Sequence, residues 1–269
     1  MEPMSSLRRM LDVLTLITPE QPQIGVDQIC RQLGYAPASA YRYVRELSEF
    51  GLLVRLPGGY ALGPRVIQMD LQLRENDPVL GAARGLMEQL ARDTGLNVLL
   101  SELYADTVIN THQEFGLDAR ELNFGRGRPM ALFRSATSRI ILAHLSPRQL
   151  RRVYDANAEH PDVQRLGGTW REFSRAMLEL RKAGCCLSRG ELDPDKVGLA
   201  APIFDEKHRV LGSITLVGAT ARFDAFNESY LSGRIVGAAQ EITRRIEGGR
   251  EAAAAEPETV PKGSLHAKG

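Results

Sequence analysis

Apolar residues recur at three- and four-residue intervals at Leu7, Met10, Leu11, Leu14 and Ile17, the spacing that gathers them on one face of a helix. This predicts a first helix from about Ser5 to Thr18, stopped by Pro19. Val26, Ile29, Cys30 and Leu33 repeat the period once, closed by Gly34, a residue that suits a helix end because it enters the left-handed region freely. Pro37 then fits the first position of a third helix, where its missing N–H costs nothing, and Ala40, Val44 and Leu47 mark an inward face up to Gly51. Leu52–Leu56 and Tyr60–Leu62 read as short strands around the turn Pro57-Gly58-Gly59. Three helices followed by a hairpin is the pattern of a winged helix-turn-helix.

Val66, Met69 and Leu73 give a connecting helix from Pro64 to about Asn76. Beyond Asp77-Pro78 the order changes. A helix carrying Val79, Ala83, Leu86, Met87 and Leu90 precedes strands at Val98–Leu103 and Thr107–His112, joined at Ala105-Asp106. Helices follow at about Ser135–Leu145, Pro147–Ala158 and Thr169–Ala183. Strands return at Leu199–Phe204 and Val210–Val217 across Asp205-Glu206-Lys207-His208, and a last helix uses Leu231, Ile235, Ala238, Ile242 and Ile246. Segregated strands and helices indicate an α+β fold with a mostly antiparallel sheet. The expected organisation is a winged helix-turn-helix over 1–63, a linker helix over 64–76, a second domain over 77–248 and a disordered tail over 249–269, where no apolar period survives.

Composition narrows this picture little. A chain of 269 residues with 43% hydrophobic and 25% charged residues suits two ordinary globular domains. No run of about 18 apolar residues is present to span a bilayer and no export pattern opens the chain, so a cytoplasmic protein with no membrane partner is expected. Cys30, Cys185 and Cys186 form neither a disulfide framework nor zinc-ligand spacing. The net charge is +1, and residues 1–65 hold seven arginines against six carboxylates. Charge alone does not suggest DNA.

The arrangement of side chains does. The second helix of a helix-turn-helix presents its N-terminal half to base edges in the major groove of double-stranded DNA. With Ala40, Val44 and Leu47 inward, Ala38, Arg42, Arg45 and Glu49 fall on the opposite face, flanked by Ser39 and Tyr41. Arginine can bond guanine O6 and N7 with two donors, and serine and tyrosine hydroxyls suit phosphates or bases. Arg55 with Gly58 and Gly59 forms the candidate wing, where glycine lets backbone approach a phosphate, and Arg8 and Arg9 are further candidate phosphate contacts. The competing reading makes Arg42 and Arg45 solvated partners of Glu46 and Glu49.

Ser6-Leu7-Arg8-Arg9-Met10-Leu11-Asp12-Val13-Leu14, Ile29-Cys30-Arg31-Gln32-Leu33-Gly34, Ser39-Ala40-Tyr41-Arg42 and Gly59-Tyr60-Ala61-Leu62-Gly63 resemble the DNA-binding half of the IclR family of bacterial regulators. Ala183-Gly184-Cys185, Gly190-Glu191-Leu192-Asp193-Pro194, Val197–Asp205 and Leu216-Val217-Gly218 resemble its effector-binding half. The similarity spans roughly residues 5–247. It implies a GAF-like effector-binding domain, a homodimer formed partly through the DNA-binding domains, often a homotetramer, and small carboxylates or aromatic acids as effectors. A symmetric dimer favours a palindromic operator with half-sites about 34 Å apart. Ala38 departs from the family, which commonly has serine in the turn before the recognition helix.

Relatives often carry His-Ala-Thr-Ala, one variable residue and Gly-Lys where this chain has Phe133-Arg134-Ser135-Ala136-Thr137-Ser138-Arg139. A helix N-terminus there offers unsatisfied donors and a partial positive charge to a carboxylate; Ser135 and Thr137 add hydroxyls, and Arg134 a two-pronged clamp. Against this, Ser135 is also a good helix cap. By the same resemblance Ser188, Gly198, Thr215 and Val217 line the ligand site, Gly198 enlarging it where some relatives have a thiol. Phe124, Met130 and Phe133 are candidate apolar walls or plain core; Glu191 and Asp193, near this edge, could repel an anionic ligand or bond its donors, but read first as a solvated loop. The expected effector is an organic acid with an apolar or aromatic body.

Three rival readings leave little in the residues. For an enzyme there is no His-Glu-x-x-His, Gly-x-Ser-x-Gly or phosphate-cradling glycine loop, and His112, His144, His160, His208 and His266 are scattered without metal spacing, so no cofactor or metal is expected. Cys185 lacks an identified base. Arg126-Gly127-Arg128-Pro129 matches minor-groove arms, but its place between Phe124 and the following helix favours an ordinary turn. A winged helix serving protein contacts alone is the remaining alternative.

Overall fold

The computed structural model describes residues 5–117 and 125–255. The described residues form two compact units, divided between Asp77 and Pro78.

In the first unit, α1 (Ser6–Asp12) starts at Ser5, whose hydroxyl accepts from the Arg8 N–H at 3.2 Å. The expected helix to Thr18 is shorter than its apolar period suggested: it tightens into a 3₁₀ turn over Val13–Leu16. Thr18 and Gln21 then exchange both backbone hydrogen bonds at 3.1 Å, and this closed turn replaces further helix. Helix α2 (Val26–Leu33) ends on Gly34 at φ 68°, and α3 (Pro37–Glu49) has Pro37 in its first turn. Strands β1 (Leu53–Leu56) and β2 (Gly59–Leu62) pair antiparallel with Leu56 opposite Gly59. The turn is therefore Pro57-Gly58, with Gly58 at φ 96°, and Gly59 belongs to the strand. An isolated antiparallel bridge from Ile24 to Tyr60 sets a third chain segment beside the hairpin. Val13, Ile24, Ile29, Tyr35, Ala40, Tyr43, Val44, Leu47 and Leu53 fill the core. Helix α4 (Pro64–Asn76) has the predicted bounds and buries none of its residues.

The second unit opens with α5 (Pro78–Thr94) and contains one five-stranded sheet in the order β4-β3-β7-β6-β5. Its strands are β3 (Asn97–Tyr104), β4 (Thr107–Glu114), β5 (Cys186–Arg189), β6 (Lys196–Phe204) and β7 (Val210–Ala219), all paired antiparallel. Alternation along each strand gives the sheet two different faces. Val98, Leu100, Leu199, Ala201, Ile203, Ile214 and Leu216 pack with Met87 and Leu90 of α5 and with Leu231, Ile235 and Ile242 of α11 (Glu228–Ala255). Each of the valine, leucine, isoleucine and methionine side chains among them contributes roughly 1.5–3 kcal/mol by leaving water. Leu99, Ser101, Gly198, Ala200, Ser213, Thr215 and Val217 alternate with these, and α6 (Ala136–His144) packs against β6 and β7.

Helices α7 (Pro147–Asn157), α8 (Pro161–Leu166) and α9 (Trp170–Ala183) enclose a separate cluster around Phe173, Tyr154 and Met177. The sequence pattern missed α8, α10 (Thr220–Phe223) and β5, each too short to show a period. It also ended the last helix at Gly248, whereas α11 continues to Ala255. Ala252–Ala255 supplies no apolar face, but alanine has the highest intrinsic helix propensity. The rest of the expected tail lies outside the described residues.

Candidate functional site

The first candidate surface is the outer side of α3. Burial of Ala40, Tyr43, Val44 and Leu47 turns Tyr41, Arg42 and Arg45 outward, as the 100° step requires. Ala38, Tyr41, Arg42, Arg45, Ser48, Arg55 and Tyr60 line one open groove, so the wing arginine Arg55 joins the recognition helix on a single surface. The unit's near-zero charge does not reveal this, because three of its arginines, Arg42, Arg45 and Arg55, share the groove. Arg42 lies over the Tyr43 ring at 5.3 Å and, among the described residues, meets no carboxylate. Arg45 does pair with Glu46 and Glu49, each at 3.5 Å; such exposed pairs are worth about 0–1 kcal/mol and yield readily to a phosphate.

Other sequence candidates sit differently. Arg8 pairs with Asp12 at 3.7 Å, and the Arg9 guanidinium covers the Tyr35 ring at 4.6 Å. Ser39 is half-buried in the first turn of α3, and Ala38 lies in that turn as well, not before the helix. Gly58 is exposed at the wing tip. The missing side chain of Gly59 has an internal reason: a Cβ there would stand 2.7 Å from the Ile24 carbonyl oxygen. Arg126–Pro129 is a turn packed on β4, with the Gly127 N–H donating to the Asn110 carbonyl at 2.8 Å and Pro129 bridging Ile109.

The second candidate is a cavity of about 30 Å³ between α6 and the sheet, lined by Leu99, Met130, Ser135, Ala136, Thr137, Ser188, Glu191, Leu192, Asp193, Lys196, Gly198, Thr215 and Val217. Strand pairing explains the gathering. Leu99 and Ala200 both lie opposite Thr215, and Gly198 lies between Ser188 and Val217. Ser135 both caps α6, accepting from the Ser138 N–H at 2.9 Å, and lines the cavity. The Thr137 and Thr215 hydroxyls are 2.9 Å apart, and the Ser213 hydroxyl donates to the Thr137 carbonyl at 3.3 Å. Met130 is placed by its sulfur accepting from the Asn110 amide at 3.2 Å.

Seven of the expected ligand residues thus meet: Met130, Ser135, Thr137, Ser188, Gly198, Thr215 and Val217. Two do not. Phe133 packs edge-on against Phe173, 6.4 Å between centroids, in the α7–α9 cluster, because it precedes the cap and faces away from the sheet. Arg134 donates to the Glu191 backbone carbonyl and is no free clamp. Phe124 lies outside the described residues. The sequence reading also missed Leu99, Ala136, Leu192 and Lys196, and it took Glu191 and Asp193 for solvated loop although both line the cavity. Lys196 is the cavity's cation, and among the described residues it meets no carboxylate. Its signal was present as the lone lysine beside the Gly190–Pro194 segment.

Cys186 is buried, and burial pushes its thiol up to about 11, the opposite of what a nucleophile needs. Among the described residues no three His, Cys, Asp or Glu side chains are grouped to hold a metal, and no helix is long and apolar enough to cross a membrane.

Residues 6–57 match the family described as the IclR helix-turn-helix domain, and residues 72–244 match that described as the bacterial transcriptional regulator IclR C-terminal domain. The chain is 26% identical over 230 residues to the HTH-type transcriptional regulator KipR of Bacillus subtilis, covering 84% of this chain and 91% of KipR. It is 25% identical over 244 residues to the HTH-type transcriptional regulator BhcR of Paracoccus denitrificans, covering 88% and 86%. An IclR transcriptional regulator of Alicyclobacillus acidocaldarius has the same fold, with a TM-score of 0.75, 22% identity, and 91% and 98% of the two chains covered. So does an IclR homolog of Microbacterium hydrocarbonoxydans complexed with 4-hydroxybenzoate, with a TM-score of 0.73, 20% identity, and 90% and 99% covered.

Proposed function

The chain belongs to the IclR family of bacterial transcriptional regulators, and from that membership we propose that two or four copies bind a palindromic operator under the control of a small organic acid. The observation that carries the DNA half is the groove joining Arg42, Arg45 and Arg55 to Tyr41 and Tyr60. Arg42 and Arg55 read or hold the duplex, with Tyr41 at 60% exposure beside them. The helix-turn-helix placement puts α3 in the major groove.

Dimerisation is supported by α1 and α4, which leave large apolar side chains in water. Leu7 and Ile67 are 71% and 74% exposed, and Leu11, Leu71 and Leu73 are exposed as well. Leu7 and Leu11, like Ile67 and Leu71, are four residues apart and share a helix face. A second copy covers them, and two copies of α3 then meet half-sites about one helical turn apart.

The effector is supported by the cavity's chemistry: four buried hydroxyls at Ser135, Thr137, Ser188 and Thr215, apolar walls at Leu99, Met130 and Val217, and Lys196 for an anionic group. The bound 4-hydroxybenzoate of the Microbacterium homolog is one such acid. A volume of about 30 Å³ holds about two waters, far below the roughly 300–1,000 Å³ of ordinary ligand sites. The acid therefore binds an expanded form, and this difference in affinity is what allows a ligand to shift a population. In the chain α4 joins the two units and carries the shift.

Fluorescence anisotropy with duplex DNA across a salt series tests the DNA half. Arg42→Ala is expected to weaken specific binding by roughly 1–3 kcal/mol and relax preference at one base position. Undiminished binding removes Arg42 from the interface. No affinity for any duplex at low salt leaves protein contacts as the unit's role.

A further inference from the structure

The cavity's walls differ in how they are fixed. Strands β3, β6 and β7 and helix α6 are tied by backbone hydrogen bonds, but the wall containing Glu191, Leu192 and Asp193 is the loop between β5 and β6. That loop leaves the sheet at Gly190, whose φ of 66° favours glycine. Within it, the Gly190 N–H donates to the Lys196 carbonyl at 2.9 Å and the Lys196 N–H to the Asp193 carbonyl at 3.0 Å. Its far end is tied down where the Thr220 N–H donates to the Asp195 carbonyl at 2.9 Å, which leaves residues 191–194 as the part that can lift.

What presses the loop onto α6 is one residue held by two arginines. Arg134, just before the Ser135 cap, donates to the Glu191 carbonyl. Arg139, one turn into α6, donates to the Glu191 carboxylate at 2.6 Å and to the Leu187 carbonyl at 3.4 Å. The Arg139 side chain is only 12% exposed, while Glu191 keeps 35%, and the Arg139 Nε–H is buried without a partner. A largely buried guanidinium is costly unless a carboxylate faces it. Glu191 supplies that carboxylate from the more exposed side of the pair.

We propose that the β5–β6 loop is the lid of the cavity, latched shut through Glu191, and that an anionic effector opens it by replacing the Glu191 carboxylate on Arg139. This rests on the cavity being the effector site. Glu191 is then a resident stand-in for the ligand's carboxylate. The expansion that a cavity of about 30 Å³ requires comes from displacing this loop, with the hydrogen-bonded sheet left intact. Lys196, at the foot of the loop, meets the same anion as the lid lifts. The latch selects for acids, because a neutral molecule offers Arg139 nothing in exchange for Glu191.

Amide hydrogen exchange on the full chain tests this. In Glu191→Gln and in Arg139→Gln, exchange over residues 190–196 is expected to rise at least about tenfold while β6 beyond Gly198 and β7 keep wild-type protection. Acetate, used as the smallest carboxylate probe, is expected to raise wild-type loop exchange toward the Glu191→Gln level, with chloride at equal ionic strength having no such effect. Unchanged loop exchange in both variants overturns the latch. Loop opening in the variants with no response of the wild type to acetate overturns the anion exchange. The variant comparison needs no effector, so it stands or falls whether or not the cavity is the effector site.

Discussion

Thr137, in the first turn of α6, and Thr215, in the central region of β7, face each other across the cavity wall with their hydroxyl oxygens 2.9 Å apart. Two hydroxyls in contact share one proton between them, which leaves the second proton to be donated elsewhere. The pair therefore ties the helix to the sheet and leaves one hydroxyl proton for a further acceptor.

Thr215→Val keeps the side-chain shape and removes that hydroxyl. Chemical denaturation is expected to show a loss of about 1 kcal/mol, the net worth of one buried hydrogen bond. Calorimetric titration with an organic acid that the wild type binds is expected to show weaker binding in the variant. Unchanged stability and unchanged binding together would mean that the two hydroxyls are not coupled.

Gly198 offers the converse test. A Cβ built there lies 3.8 Å from the Ala136 Cβ and 3.9 Å from the Thr215 Cγ2, ordinary contact that strains nothing. Gly198→Ala is expected to leave the melting temperature within a few degrees while weakening effector binding by about 1–2 kcal/mol through lost room. A large fall in melting temperature would show that the glycine serves folding instead.

Cys186 carries a pH signature. Its thiol, pushed up to about 11 by burial in the fold against 9.0 for an ordinary thiol, stays protonated in the native state where an unfolded chain would already ionise. The native state holds the proton more tightly, so this contribution to stability is complete below pH 9 and is lost as pH rises toward 11. At pH 8 alkylation followed by peptide mapping is expected to label Cys186 roughly a hundredfold more slowly than an exposed thiol. Rapid labelling of Cys186 in the folded protein contradicts its burial.

The proposed assembly is tested at the exposed apolar side chains of α4. Ile67→Glu and Leu71→Glu alter exposed positions, so each variant is expected to fold with a wild-type circular dichroism spectrum. Native mass spectrometry is expected to show a shift from dimer or tetramer toward monomer. Retention of the full oligomer in the double variant removes this face from the interface.

Much of the fold was legible because its elements are either periodic or bounded by residues with one conformational use. Gly34 and Pro37 frame the turn between α2 and α3, and α4 has the bounds its pattern set. The short pieces, α8, α10 and β5, have no period to read, and the hairpin register moved Gly59 from turn to strand. In the cavity, Ser135 and Thr137 were legible from the start of α6, whereas Ser188, Gly198, Thr215 and Val217 came from the family resemblance and Met130 from its apolar character alone. Arg134 was misjudged because its hydrogen bond runs to a residue 57 positions away. Glu191 and Lys196 lie in or beside an irregular loop, whose side-chain directions no period determines.

The central claim is tested most directly by selecting duplexes from a random double-stranded library with the purified full-length protein at near-physiological salt. Enrichment of a palindrome whose half-sites lie about one helical turn apart, lost in Arg42→Ala, is the expected result. Recovery of no common sequence, or enrichment of a site indifferent to Arg42, contradicts it.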